Sequence, residues 1–155
     1  YKIALRNVGE IDPTSLDDYI ERGGYKALKK VISSMKPEDV LKEVSESKLR
    51  GRGGAGFPTG RKWKTAADID TSPIYVVCNG DEGDPGAFMD RSIMEGDPNS
   101  VIEGMIICAY SIGGTNGFAY IRDEYGLAVE NMQKAIDKQL LEQVMNCIQK
   151  NLFLK

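Results

Sequence analysis

Histidine does not occur among the 155 residues, which removes Ser-His-Asp and Cys-His nucleophile arrangements and the commonest metal ligand. Any chemistry here proceeds without an imidazole. Cysteine is scarce: Cys78, Cys108 and Cys147 stand far apart, with no CxxC pair, so the spacing supplies neither a zinc site nor an iron-sulfur ligand set. Their odd number and wide spacing predict reduced, partly buried thiols, and no residue is assigned to a metal. No apolar run approaches a membrane span and no signal peptide opens the chain, which predicts no direct membrane insertion and a cytoplasmic location. The first residue is Tyr1 rather than Met, which reads as a piece of something longer. A surplus of positive charge is missing too. The net charge is −3 and the pI near 5.1, which argues against nucleic acid as a partner.

With 41% hydrophobic and 28% charged residues, the chain has the profile of one soluble globular domain able to close a core. Residues 2–6 read as a short strand. Asp12-Pro13-Thr14-Ser15 reads as a turn and N-cap for a helix through Tyr19 and Ile20, ended by Gly23-Gly24. A second helix is predicted over 25–33, with Leu28, Val31 and Ile32 on one face. A third starts after Pro37, with Val40, Leu41 and Val44 facing the core. A short helix is predicted over 58–67. The β-branched and apolar run 74–78 reads as a strand covered on both faces in a parallel sheet. Residues 98–112 read as helix, 117–121 as strand, and 125–147 as a long amphipathic helix through Val129, Met132, Ile136, Leu140 and Val144. Strands alternating with helices give the α/β class.

Glycine is concentrated between Gly51 and Gly60, where five of ten residues lack a Cβ. Such density usually lets the backbone take left-handed angles or lie close against a flat or phosphorylated ligand. The competing reading is a flexible linker, but a linker needs neither Phe57-Pro58 in its middle nor Trp63 at its end. Lys48, Arg50, Arg52, Arg61, Lys62 and Lys64 flank the glycines and suit a small anion. The string Gly51-Arg52-Gly53-Gly54-Ala55-Gly56 matches G-x-G-x-x-G, yet the segment before it looks helical, so the dinucleotide fingerprint fails on context. A Walker A reading fails as well, because no Gly-Lys-Ser/Thr follows. What survives is a glycine loop, flanked by cations, that suits a phosphate or a planar ring. Phe57 reads either as a stacking partner for that ring or as a core plug.

The acidic loop 79–84 follows the carboxyl end of the predicted strand, where ligands of open α/β sheets bind. It lacks the alternating ligands and closing Glu of a calcium loop. Carboxylates and an amide in that place suit the hydroxyls of a ribose or ribityl chain. Equally, Asp81, Glu82 and Asp84 suit turns and the cap of a helix beginning near Pro85-Gly86. Asp90 and Arg91 read as a local ion pair.

Taken together, RGRGGAGFPTGRKW and NGDEGDPGAFMDRSIMEGDP resemble the flavin-bearing, NADH-oxidising subunit of respiratory complex I and its soluble relatives in NAD-linked hydrogenases and formate dehydrogenases. The lead-in IDPTSLDDYIERGGYKAL is similar to the hydrogenase-type relatives. The resemblance implies a Rossmann-like parallel sheet flanked by helices, here in part. It implies a helical lead-in over 1–50, an FMN- and NADH-binding α/β unit over 51–138, and a divergent helical tail over 139–155. It implies FMN in the glycine-loop cavity and NADH stacked on its ring, with hydride passing between the cofactors. No catalytic side chain is implied for that step.

Carried over position by position, the resemblance puts Gly51, Gly53, Lys62, Asn79 and Asp81 at the flavin, with Gly54, Ala55, Gly56 and Gly60 in the same loop. Phe57 would stack on the adenine, and Arg52 to Arg61 would line the nucleotide. Glu82 would neighbour the flavin edge. Asp84 stands where many relatives carry Glu on the nicotinamide side, and Thr65 where many carry a second aromatic. Further family segments, namely a second glycine-rich stretch with paired glutamates, a flavin-phosphate loop, a ubiquitin-like domain and a four-cysteine cluster site, lie outside this sequence. An iron-sulfur cluster is therefore expected only in other segments or in partner subunits. The alternative is a non-catalytic nucleotide- or partner-binding remnant of the same fold.

Overall fold

The computed structural model describes residues 2–137. Along the chain run α1 (Leu16–Glu21), α2 (Lys26–Ser34), α3 (Pro37–Glu46), α4 (Thr59–Ala67), β1 (Tyr75–Gly80), α5 (Met89–Gly96), α6 (Pro98–Ile112), β2 (Asn116–Ile121) and α7 (Gly126–Asp137). The class is α/β. β1 and β2 pair in parallel, from Tyr75 opposite Asn116 to Gly80 opposite Ile121, with α5 and α6 in the crossover.

α6 is the wall on which the rest leans. Asp97 caps it, its carboxylate accepting from the Ser100 N–H at 3.4 Å, and Pro98 takes the first helical position, where a missing N–H is harmless. The Asp97 side chain also accepts from Asn7 Nδ2 at 2.8 Å, and burial pushes its carboxyl above the usual range. Gly113 in left-handed backbone, φ 74°, ends the helix. One flank of α6 joins Met94, Ile102, Ala128, Met132 and Ala135 in a core shared with α5 and α7. The other flank joins Leu41, Val76 and Ile112, with Trp63, Met105 and Cys108 packed against them. Each fully buried large apolar side chain in these clusters contributes about 2 kcal/mol by area removed from water.

Four expectations change. Residues 2–6 form successive turns rather than a strand, with the Val8 N–H donating to the Leu5 carbonyl at 3.2 Å. Ile3 stays 76% exposed, so the segment buries no apolar face that would hold it as a strand. β1 is covered on one face only: Val76 is buried, whereas Tyr75 and Val77 are exposed. The buried stripe of α7 runs through Ala128, Asn131, Met132 and Ala135, leaving Val129 exposed, because the helix turns its small residues toward α5 and α6. The helix after the acidic loop starts at Met89, later than Pro85-Gly86, since the Ala87 N–H closes a turn on the Asp84 carbonyl at 3.1 Å. The part of the expected long helix beyond 137, with Leu140, Val144 and Cys147, lies outside the described residues.

Candidate functional site

The glycine loop is closed at its neck. Arg50 and Pro58 form an antiparallel bridge, the Gly51 N–H donates to the Phe57 carbonyl at 2.9 Å, and the Thr59 N–H donates to the Leu49 carbonyl at 2.9 Å. Arg50 Nη1 adds a charged bond to the Gly56 carbonyl at 2.8 Å. A neck with this many bonds is a fixed loop, not a linker. Inside it Gly54 has φ 98° and Gly56 φ 58°, angles that side chains with a Cβ rarely take. A Cβ built on Gly53, Gly54 or Gly56 meets no atom within 4 Å. The loop therefore presents bare main chain beside open space, with Arg52 and Ala55 exposed on it. A planar or phosphorylated group fits such a cradle.

Phe57 leaves the loop 46% exposed, so it is no core plug, and the Arg61 guanidinium lies 5.7 Å from its ring centre. Lys62 is exposed on α4. Its charge reaches Cys108, where it opposes the effect of burial, which pushes that thiol up to about 11. Burial likewise raises the Cys78 thiol. Both cysteines are free and half-buried, as their spacing predicted. Gly60 stands apart from the other glycines. It is buried, and a Cβ there would lie 2.6 Å from the Ser45 Cα, so the structure uses it to bring α4 against α3 rather than to open the loop.

The acidic loop begins where β1 ends. Asn79 and Gly80 complete the strand, the Asn79 Oδ1 accepts from the Asp81 N–H at 3.0 Å, and Asp81 and Asp84 are exposed. Glu82 is engaged differently. Its carboxylate accepts from the N–H groups of Met89 at 3.0 Å, Asp90 at 3.2 Å and Arg91 at 3.2 Å. Those are donors that the start of α5 would otherwise leave without partners, and the negative charge suits that helix end. The expected cap is thus supplied by Glu82 and not by Asp81 or Asp84. Asp90 is half-buried beside it, its carboxyl raised by burial and then by the Glu82 charge. Arg91 pairs with Glu95, Nε to Oε1 at 2.8 Å, rather than with Asp90, because one helical turn separates the first two on the same face.

Among the described residues no hydrogen bond or ion pair joins the two loops. They are related through α6, against which both α4 and β1 pack. A concavity of about 590 Å³ lies between α3, α4 and the end of α6, lined by Leu41, Lys42, Lys64, Ala67 and Tyr110; of the cations flanking the glycines only Lys64 faces it, and none of the residues expected at the flavin or the nucleotide does. Two residues that sequence reasoning passed over, Arg122 and Tyr125, do meet the acidic loop, at the Glu82 carbonyl. Their signal was positional: Arg122 directly follows β2, and the carboxyl ends of parallel strands gather at one edge.

A family model described as the Nuo51 FMN-binding domain matches residues 44–151. The chain is 56% identical over 136 residues to the NADP-reducing hydrogenase subunit HndC of Solidesulfovibrio fructosivorans, covering 88% of this chain and 27% of that one. It is 48% identical over 124 residues to an NADH-quinone oxidoreductase subunit of Aquifex aeolicus, covering 80% and 29%. It is 43% identical over 104 residues to the NAD-reducing hydrogenase HoxS subunit alpha of Cupriavidus necator, covering 67% and 17%. Among solved structures, that of an NAD+-reducing [NiFe]-hydrogenase in the H2-reduced state matches with a TM-score of 0.69 at 27% identity, covering 97% of this chain and 24% of that one. The chain thus spans a minor part of the length of each of these relatives.

Proposed function

The chain belongs to the family of the Nuo51 FMN-binding domain, and from that footing we propose that it forms part of an NADH-oxidising, FMN-holding electron-entry module. The observation that carries the reading is the closed glycine loop with open space beside Gly53, Gly54 and Gly56. In this reading Gly51, Gly53, Gly54, Ala55 and Gly56 lie against the flavin, with Lys62 supplying positive charge. Asn79 and Asp81 offer acceptors to its hydroxyls. Phe57, exposed and backed by Arg61, receives the adenine of NADH, and Arg52 lines the nucleotide. Asp84 faces the nicotinamide side, while Glu82 holds the loop from behind.

FMN supplies the hydride acceptor when bound, so the chain's own task is to bind and orient two planar groups, which needs no imidazole. The remaining walls and the onward path belong to polypeptide beyond the matched span and to iron-sulfur subunits of a multi-subunit complex. Among the described residues no helix is long and apolar enough to cross a membrane. The free thiols Cys78 and Cys108 support a reducing, cytoplasmic setting.

Titration of the purified chain with FMN, followed by flavin fluorescence and by dye reduction with NADH, tests the reading. The expected result is saturable uptake, with Lys62→Ala weakening it about tenfold, as loss of one charged contact does. The second reading is a non-catalytic nucleotide- or partner-binding remnant that keeps the fold but has lost the flavin. A chain that takes up no added FMN and reduces no dye with NADH defeats the first reading and supports the second.

A further inference from the structure

β1 and β2 end level with one another, since Gly80 stands opposite Ile121 in the parallel register. The next residues, Asp81 and Glu82 on one strand and Arg122 on the other, leave the sheet side by side. Residues 122–125 then turn back on themselves, the Tyr125 N–H donating to the Arg122 carbonyl at 3.0 Å. Both side chains are thereby brought to the acidic loop. Arg122 Nη1 donates to the Glu82 carbonyl at 2.9 Å, and the Tyr125 hydroxyl donates to the same oxygen at 3.3 Å. Arg122 Nε lies 3.9 Å from Asp81 Oδ1, and its Nη2 lies 3.1 Å from Glu124 Oε1. The Tyr125 ring carries the Arg122 and Arg91 guanidinium groups at 5.7 Å and 5.4 Å.

The loop's other bonds are local. The Asp81 N–H donates to Asn79 Oδ1, the Gly83 N–H to the Asp81 carbonyl and the Ala87 N–H to the Asp84 carbonyl. Such bonds shape a turn without fixing it relative to the sheet. Beyond Gly80, which β2 still pairs, the hydrogen bonds among the described residues that tie the loop to the rest of the molecule pass through Glu82, whose main chain is held by Arg122 and Tyr125 and whose carboxylate is held by the start of α5. One carbonyl with two donors, one of them charged, is a firm anchor.

We propose that Arg122 and Tyr125 are positioning residues: by gripping the Glu82 carbonyl they set where Asp81 and Asp84, beyond the end of β1, present their acceptors, without themselves touching the ligand. This rests on the reading of the acidic loop as a wall of the flavin site. The pair acts through geometry: the Tyr125 ring packs against the core around Met94 and Met132, and Tyr125→Phe keeps that ring while removing the anchoring hydroxyl, so binding weakens while the cores around α6 persist.

The test compares the wild-type chain with Arg122→Gln, Arg122→Lys and Tyr125→Phe, by FMN titration and by amide hydrogen exchange. Arg122→Gln is expected to weaken FMN binding about tenfold and Tyr125→Phe by a smaller factor, each by loss of one anchoring bond. Arg122→Lys, which keeps one charged donor, is expected to recover part of the loss. Exchange should quicken at residues 80–84 and 89–91 and stay unchanged in α6. Unaltered FMN affinity in a folded Arg122→Gln or Tyr125→Phe overturns the inference. Should Arg122→Gln fail to fold, Tyr125→Phe decides. A wild-type chain that takes up no FMN defeats the reading of the site instead. In that event exchange alone judges the clamp: faster exchange at 80–84 in Tyr125→Phe supports it and unchanged exchange overturns it.

Discussion

Gly53 and Gly60 belong to one glycine-rich stretch yet do opposite work, and a methyl group tells them apart. At Gly60 the added Cβ would stand 2.6 Å from the Ser45 Cα and 2.8 Å from its nitrogen, main-chain atoms that cannot rotate away. α4 would have to lift from α3, and Gly60→Ala should cost about 1–3 kcal/mol, the usual range for overpacking. At Gly53 the Cβ meets nothing within 4 Å, so Gly53→Ala should change stability by less than about 0.5 kcal/mol. Urea denaturation of both variants measures the contrast, and equal losses would mean that the loop is packed rather than open. Glycine density in the sequence points to a special backbone, but it cannot apportion the glycines between a cradle and a helix contact. That division depends on which residue of α3 arrives opposite, and nothing local to 51–60 specifies Ser45. Glu82 teaches the same point: three carboxylates in one loop are alike in sequence, and only the direction of α5 makes one of them its cap.

Elements are legible where their signals are local. α6 can be read to its ends because Asp97-Pro98 and Gly113 mark start and stop within the sequence itself. β1 is legible from its β-branched run, and the parallel class from its alternation with helices. What such a run does not encode is coverage. Tyr75, Val77, Phe118 and Tyr120 are 52%, 60%, 57% and 60% exposed, with the Tyr75 and Phe118 rings 5.8 Å apart, so the described sheet has one packed face and one bare apolar face. A contiguous apolar surface of this kind drives self-association in water. The double variant Val77→Thr, Phe118→Thr keeps residues that favour strands and removes apolar area from the bare face only. It should lower self-association in sedimentation experiments, and it should shift stability by no more than about 1 kcal/mol, chiefly through loss of the ring pair. An unchanged sedimentation profile would show that the face does not govern association.

At the scale of the whole molecule the question is whether the helical lead-in is a unit of its own, as its position before the glycine loop suggests. The structure docks α1 and α2 onto α6 through one carboxylate. Glu103, 8% exposed, accepts from the Tyr19 hydroxyl at 2.5 Å, the Tyr25 N–H at 3.0 Å and the Leu28 N–H at 3.0 Å. Tyr19 is 1% exposed, and burial, followed by Glu103, pushes its phenol well above the usual value, so it stays a donor. Among the described residues no Lys or Arg pairs with Glu103; three neutral donors take that place. Glu103→Ala strands all three at once, and the expected loss is about 3–5 kcal/mol, the range seen when a buried charged partner is removed. Tyr19→Phe removes a single bond and should cost about 1–2 kcal/mol. Because α6 also carries the core around Trp63 and Ile112, lead-in and sheet should unfold together. Amide exchange in α1 and α2, followed across denaturant, and the fluorescence of Trp63, the single tryptophan, should therefore trace one transition in the wild type and move together in Glu103→Ala. Loss of exchange protection in α1 and α2 at a lower denaturant concentration, with Trp63 unmoved, would make the lead-in an independent unit.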